Sequence, residues 1–213
     1  MRLIPLVAAA ISLLTAGPCF AQDWIEYRNQ ADFFSVNFPG EPKVRDISYR
    51  TEYSITLPAR VYAVENGPNR YSVTVVDYAS LESLEAERVK SCKAAGGDGD
   101  SCNDHSLADM RGAIVYATWN FLQRDAKVTH FSYSNVDRVE GHELQLTNAD
   151  RSRTFVSIHM HENRLYILEG TVPAGSPAPA LFQTSLGFLD KDGKGIRYDT
   201  PYSNGFPPPR RVR

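Results

Sequence analysis

Period-two alternation of apolar and polar residues, interrupted by turn signals, is the feature that most restricts how this chain can fold. In "FFSVNF" (33–38), Phe34, Val36 and Phe38 share one face, and "PGEP" ends the run because its prolines lack a backbone donor. "SYRTEYSITL" (48–57) and "ARVYAVE" (59–65) read as further strands, and "NGPN" (66–69) reads as a turn. "RYSVTVVDY" (70–78) aligns Tyr71, Val73 and Val75 on one face. "KVTHFSYS" (127–134), "HELQLT" (142–147), "RTFVSIHMH" (153–161) and, after an Glu162-Asn163 turn, "RLYILEGTV" (164–172) continue the pattern.

Helical periods interrupt the strands. A helix is expected from Ser80 as N-cap, with Leu81, Leu84, Val89, Cys92 and Ala95 on one arc that Glu85 and Arg88 break; Gly96-Gly97 ends it. A second is expected from Ser106, where "SLAD" matches a capping box with Asp109. Its stripe is Leu107, Met110, Ile114, Ala117, Phe121 and Leu122, and a strand over 113–121 is the alternative. "SPAPALFQTSLGF" (176–188) reads as a last helix after a proline-rich entry. The sum is an α+β single domain, a twisted, mainly antiparallel sheet with packed helices.

The ends carry different signals. "MRLIPLVAAAISLLTAGPCFAQ" has a basic start, a short apolar run and a small-x-small site, the layout of a secretory signal cleaved between Ala21 and Gln22. The apolar run is shorter than the roughly 20 residues that cross a bilayer, and no transmembrane span is expected in the mature chain. The expected compartment is therefore periplasmic or secreted. Residues 22–189 form the expected globular domain. Residues 190–213, rich in Gly, Pro and charge, are expected as a mobile tail. A formal net charge of −2 gives no reason to expect nucleic acid.

"FFSVNFPGEP", "RYSVTVVDY" with the helix after it, "ENRLYILEG" (162–170) and "LFQTSLGF" (181–188) resemble the PsbP-like superfamily. There an early "F-x-V-x-F-P-x-x-P" segment and a late "R-L-Y" strand frame an α/β/α sandwich. The resemblance spans roughly residues 24 to 190. It implies that fold and an accessory or binding role without a shared catalytic apparatus. "CKAAGGDGDSC" (92–102) departs from the family pattern.

Candidate sites are few. Cys92 and Cys102 remain as a pair after signal cleavage and are expected to form a disulfide, as export favours. Their spacing is not that of a C-x-x-C redox motif, and Asp98, Asp100 and Asp104 are the alternative, a cation loop. His159 and His161, two apart on a strand, project from one face. If Asp150-Arg151 is a two-residue turn, His142 lies opposite His159, and the three imidazoles form a possible Zn or Cu site. "HENRL" and "HELQL" lack the second histidine of a zinc-protease helix. "DKDGKG" (190–195) has Lys194 and Pro201 where a calcium loop needs oxygen ligands. No G-x-S-x-G is present. The leading expectation is an exported non-catalytic accessory or binding domain without cofactor, its partner an envelope protein or small ligand. The alternatives are a metal-binding protein or metal-dependent enzyme using the histidines, and a structural envelope component.

Overall fold

A computed structural model of the chain describes residues 24–212. The expected signal segment and the Ala21–Gln22 cleavage site lie outside the described residues. The fold is α+β. A three-stranded sheet has the order β1(Ile25–Asn29)-β2(Phe34–Phe38)-β10(Gly187–Phe188). A seven-stranded sheet runs β3(Lys43–Arg50)-β4(Thr56–Asn66)-β5(Asn69–Asp77)-β9(Arg164–Val172)-β8(Arg153–His161)-β7(Val139–Asn148)-β6(Ala126–Val136). Its neighbours pair antiparallel throughout. Helices α1(Leu81–Ala94) and α2(Ser106–Leu122) cover one face of the large sheet. The small sheet and the one-turn helix α3(Ala180–Gln183) cover the other.

Alternation decides what each face buries. Val73, Val75, Tyr166 and Leu168 point to the small sheet and pack with Phe34, Val36 and Phe38. Val76, Leu165, Ile167, Val156 and Ile158 point to the helices and pack with Ala113, Ala117 and Phe121. β8 and β9 sit centrally and are buried on both faces, so their sequences read as nearly continuous apolar runs.

The two layers meet at Asp32, in the β1–β2 turn. Its side chain is almost fully buried. The carboxylate accepts from the Arg60 guanidinium at 2.5 Å and from the Tyr62 hydroxyl. Its backbone carbonyl accepts from the Tyr166 hydroxyl at 2.8 Å, and its N–H donates to Asn29 Oδ1 at 2.8 Å. One residue of the small sheet is thereby bonded to β4 and β9 of the large one.

α1 has the expected span, but its anchor differs. Of the expected arc only Leu81 is buried. Glu85, which seemed to interrupt the apolar face, is the second buried residue. Arg88 donates to both of its oxygens, at 2.7 and 2.8 Å, and the His105 N–H donates to it at 2.9 Å. The Arg88 hydrogen bonds, opposed by burial, hold the Glu85 carboxyl below its ordinary range. α2 is a helix throughout, which removes the strand alternative for 113–121. Its capping box does not form. Asp104 Oδ1 accepts the Ser106 N–H at 2.8 Å, while Asp109 turns inward and accepts from the Thr51 hydroxyl.

Cys92 and Cys102 are disulfide-bonded, with Cα atoms 5.6 Å apart, and staple the end of α1 to the approach of α2. Gly97 lies against the bridge, since a Cβ there would stand 2.7 and 2.8 Å from the two sulfurs. Two further expectations change. "SPAPALFQTSLGF" makes only one helical turn before β10, because Gly187 and Phe188 pair with Ser35 and Phe34 instead. The segment after residue 189, expected as a mobile tail, packs. Ile196, Tyr198 and Tyr202 are buried in the core shared with the small sheet. Beyond them, Ser203–Phe206 reach across to α2, where Asn204 donates to the Met110 carbonyl.

Two stability predictions follow from these joints. Asp32→Ala leaves Tyr62 and Arg60 without their acceptor and is expected to cost about 3 kcal/mol in urea denaturation, against about 1 kcal/mol for Tyr62→Phe. Reduction of the Cys92–Cys102 bond is expected to cost roughly 2.5 to 3 kcal/mol, the loop-entropy figure for a closed loop of this size, measured with and without reductant.

Candidate functional site

The histidines separate. Asp150 and Arg151 are not a two-residue turn. Ala149, Asp150 and Arg151 form a three-residue loop, with Arg151 left-handed at φ 67° and the Asn148 N–H donating to the Ser152 carbonyl at 2.9 Å. Asp150 Oδ1 closes the loop by accepting from the Ser152 N–H at 2.9 Å and its hydroxyl at 2.6 Å. The extra loop residue slips the expected register by one. His142 pairs with Ile158, and His159 pairs with Gly141. A one-residue slip sends a side chain to the opposite face. The Zn or Cu arrangement of His142, His159 and His161 is therefore not assembled. Among the described residues no group of three or more His, Cys, Asp or Glu side chains is placed to hold a metal ion.

His159 and His161 are core residues on the small-sheet face, both essentially inaccessible. The His159 ring occupies room left by Gly141, where a Cβ would collide with the Ile158 carbonyl and the imidazole itself. Its Nδ1 lies 3.3 Å from the Val139 carbonyl, which only accepts, so Nδ1 carries the proton. Among the described residues the buried Nε2 has no partner. His161 Nε2 is 2.7 Å from the Tyr198 hydroxyl, and the ring packs on Phe188, with centroids 4.6 Å apart. Burial pushes the His159 pKa down to about 4. Burial first, then Arg211 and Arg164, push that of His161 down to about 3.

His142 emerges on the helix face, where its Nδ1 is 2.8 Å from the Thr118 hydroxyl and Phe131 packs edge-on at 5.2 Å. It lines a groove of about 290 Å³ between α2, the β6–β7 hairpin and the C-terminal segment. Ile114 and Val115 come from α2, Tyr133 and Glu140 from the hairpin, and Phe206 from the C-terminal segment. Val115, Tyr133 and Phe206 are each more than half exposed. So are Trp119, one helical turn beyond Val115, and Phe131, on the same strand face as Tyr133. β6 is an edge strand, so its outer backbone row has no partner in the sheet.

The polar groups of the groove are already engaged. Glu140 accepts from the Ser203 hydroxyl and, at 3.4 Å, from the Tyr133 hydroxyl. The Arg111 guanidinium sits 4.6 Å over the Phe206 ring and donates to the Gly205 carbonyl at 3.1 Å. Ser203 is bonded to Glu140 and His142 to Thr118, so they do not form a hydroxyl–imidazole relay.

Several other aromatic side chains and the "DKDGKG" segment are structural. Trp24, Tyr27 and Tyr166 belong to the small-sheet core. Phe33 carries the Arg164 guanidinium at 4.5 Å. In "DKDGKG", Asp190 Oδ1 accepts the Asp192 and Lys194 N–H groups, at 2.9 and 2.8 Å, and closes a turn. The groove was missed because its walls come from three distant segments. Its local trace is the pairing of Phe131 with Tyr133 at strand spacing and of Val115 with Trp119 at helix spacing.

No family model matches the chain, and no curated protein matches it. Among solved structures, the solution structure of cyanobacterial PsbP (CyanoP) from Synechocystis sp. PCC 6803 is similar, with a TM-score of 0.39 and 13% identity. The match covers 76% of this chain and 86% of that one.

The buried imidazoles set an acid limit. Above pH 6.5 both are neutral whether the chain is folded or not. Below it the unfolded chain takes up protons that the folded chain refuses until about 4 at His159 and about 3 at His161. The stability present above pH 6.5 is therefore lost as pH falls towards those values. The urea midpoint is expected to drop between pH 7 and 4, and less steeply in His161→Phe.

Proposed function

We propose that the protein is an exported, non-catalytic accessory or binding domain, and that the aromatic groove beside β6 is where it takes a partner protein. The carrying observation is that Val115, Tyr133 and Phe206, each more than half exposed, line one groove, with exposed Trp119 one helical turn from Val115 and exposed Phe131 on the strand face of Tyr133. Exposed apolar side chains around a groove cost solubility and are the mark of an interaction site. The free edge of β6 offers main-chain donors and acceptors beside it. An extended partner segment adding to that edge would place alternate side chains against the aromatic wall. The engaged states of Glu140, Ser203 and His142 favour binding over chemistry.

Export is supported by the signal-like first residues and by the Cys92–Cys102 bond, which persists in oxidising compartments. Among the described residues no helix is long and apolar enough to cross a membrane.

The test is a Trp119→Ser/Tyr133→Ser variant expressed in the native host. Both side chains are exposed, so stability is expected to change by less than about 1 kcal/mol. Partners that co-purify with the wild-type chain from the envelope are expected to be lost. Retention of the same partners by the folded variant would remove the reading.

A further inference from the structure

A larger cavity lies elsewhere, on the helix-side face of the large sheet beyond the end of α2. It measures about 650 Å³. α2 ends at Leu122 and β6 begins at Ala126, so the helices leave this part of the sheet uncovered. The floor is made of small side chains, Ala63 on β4, Ser72 on β5, Thr154 on β8 and Thr171 on β9. Strand alternation would allow large apolar residues here, as it does further along the same strands at Leu57, Val76, Val156 and Ile167. Short polar residues stand here instead.

That floor is bonded within itself. The Thr154 and Thr171 hydroxyls are 2.9 Å apart, and Asn148 Nδ2 donates to Thr154 and to Ser152, both at 2.9 Å. On one side Arg124 donates to both oxygens of Glu169, at 2.8 and 3.1 Å. The remaining charged groups of the lining stand outside ion pairs, Asp150 holding Ser152 through one oxygen. Among the described residues Arg45 and Arg70 have no carboxylate within ion-pair distance, and Glu65, Asp125 and Asp150 have no cation.

We infer that this cavity binds a peptide segment carrying both signs of charge, its carboxylate taken by Arg45 or Arg70 and its ammonium by Glu65, Asp125 or Asp150. Arginine forks are suited to carboxylates, and the mixed lining penalises ligands of one sign through the opposing set. An uncharged sugar would find no exposed aromatic ring to stack on, since the one ring of the lining, Tyr71, is buried. The site shares no residue with the aromatic groove, so the two stand or fall separately.

The probe is a blocked pentapeptide, acetyl-Lys-Ala-Ala-Ala-Glu-amide, titrated into the full protein by calorimetry at low ionic strength. Its controls replace both charged residues by Gln, both by Glu, or both by Lys. The mixed-charge peptide is expected to bind at least about ten-fold more tightly than any control. Arg45→Gln and Asp125→Asn, surface changes checked by an unchanged melting temperature, are each expected to weaken it several-fold, and the Trp119→Ser/Tyr133→Ser variant to leave it unchanged. Equal binding of a single-sign or uncharged control, indifference to both Arg45→Gln and Asp125→Asn, or no binding of any pentapeptide at millimolar concentration would overturn the inference.

Discussion

Asp32 is the joint on which this fold depends. A three-stranded sheet with one short strand cannot hold its shape in water alone, and it has one face to bury. Packing of Phe34, Val36 and Phe38 against the large sheet supplies the driving force but little orientation, because apolar contact is not directional. The carboxylate supplies the direction. It must meet Arg60 and Tyr62 on β4, while its own backbone carbonyl meets Tyr166 on β9. A slide of the hairpin along the sheet would strand a buried charge, which costs more than the hydrogen bonds gain.

Similar logic operates at the other layer. α1 presents a poor apolar face, and its hold comes from Glu85, buried under α2's entry and neutralised by Arg88. Charged residues that looked like interruptions of a helix stripe are what fix the helix. Asp109 is a second buried carboxyl. It lies under α2 beside the buried hydroxyls of Tyr49 and Tyr78, and among the described residues one of its oxygens has no hydrogen-bond partner. Burial pushes its carboxyl above the ordinary range, so its contribution favours the folded state at low pH and fades as pH rises through the shifted value. That sense is opposite to the one set by His159 and His161.

The strands were legible because alternation and turn residues act over a few residues at a time. "RYSVTVVDY", "RTFVSIHMH" and "RLYILEGTV" became β5, β8 and β9; Tyr71, Val73 and Val75 share one face of β5, and His159 and His161 one face of β8, as expected. Register was not legible, since it hung on whether Asp150 sits in a two- or a three-residue loop. A single Asx hydrogen bond to Ser152 decides that. The sequence did hold a clue to the true pairing: Gly141, not His142, is the residue small enough to face the His159 ring. Candidate binding surfaces were less legible still. The aromatic groove joins residues near 115, 133 and 206, and the charged cavity joins strands from β3 to β9, so neither leaves a contiguous motif.

The C-terminal segment shows why composition misled. Gly raises the entropy a chain must lose on ordering, Pro removes backbone donors and charge raises affinity for water, and all three suit a tail. What composition hides is placement. Tyr198 and Tyr202 fill the space beside His161, each a large side chain whose burial contributes on the order of 1.5 to 3 kcal/mol. Polar bonds then fasten the segment to both hairpin turns, through the Tyr202 N–H to Arg138 and Arg211 to Glu162. Prolines around Phe206 limit the unfolded alternatives, so a few anchors suffice to order a length with no regular structure. Because those anchors lie on the small-sheet face while Ser203–Phe206 reach α2, one segment ties the two cores together and supplies a wall of the aromatic groove. The groove's shape therefore depends on core packing on the far side of the sheet.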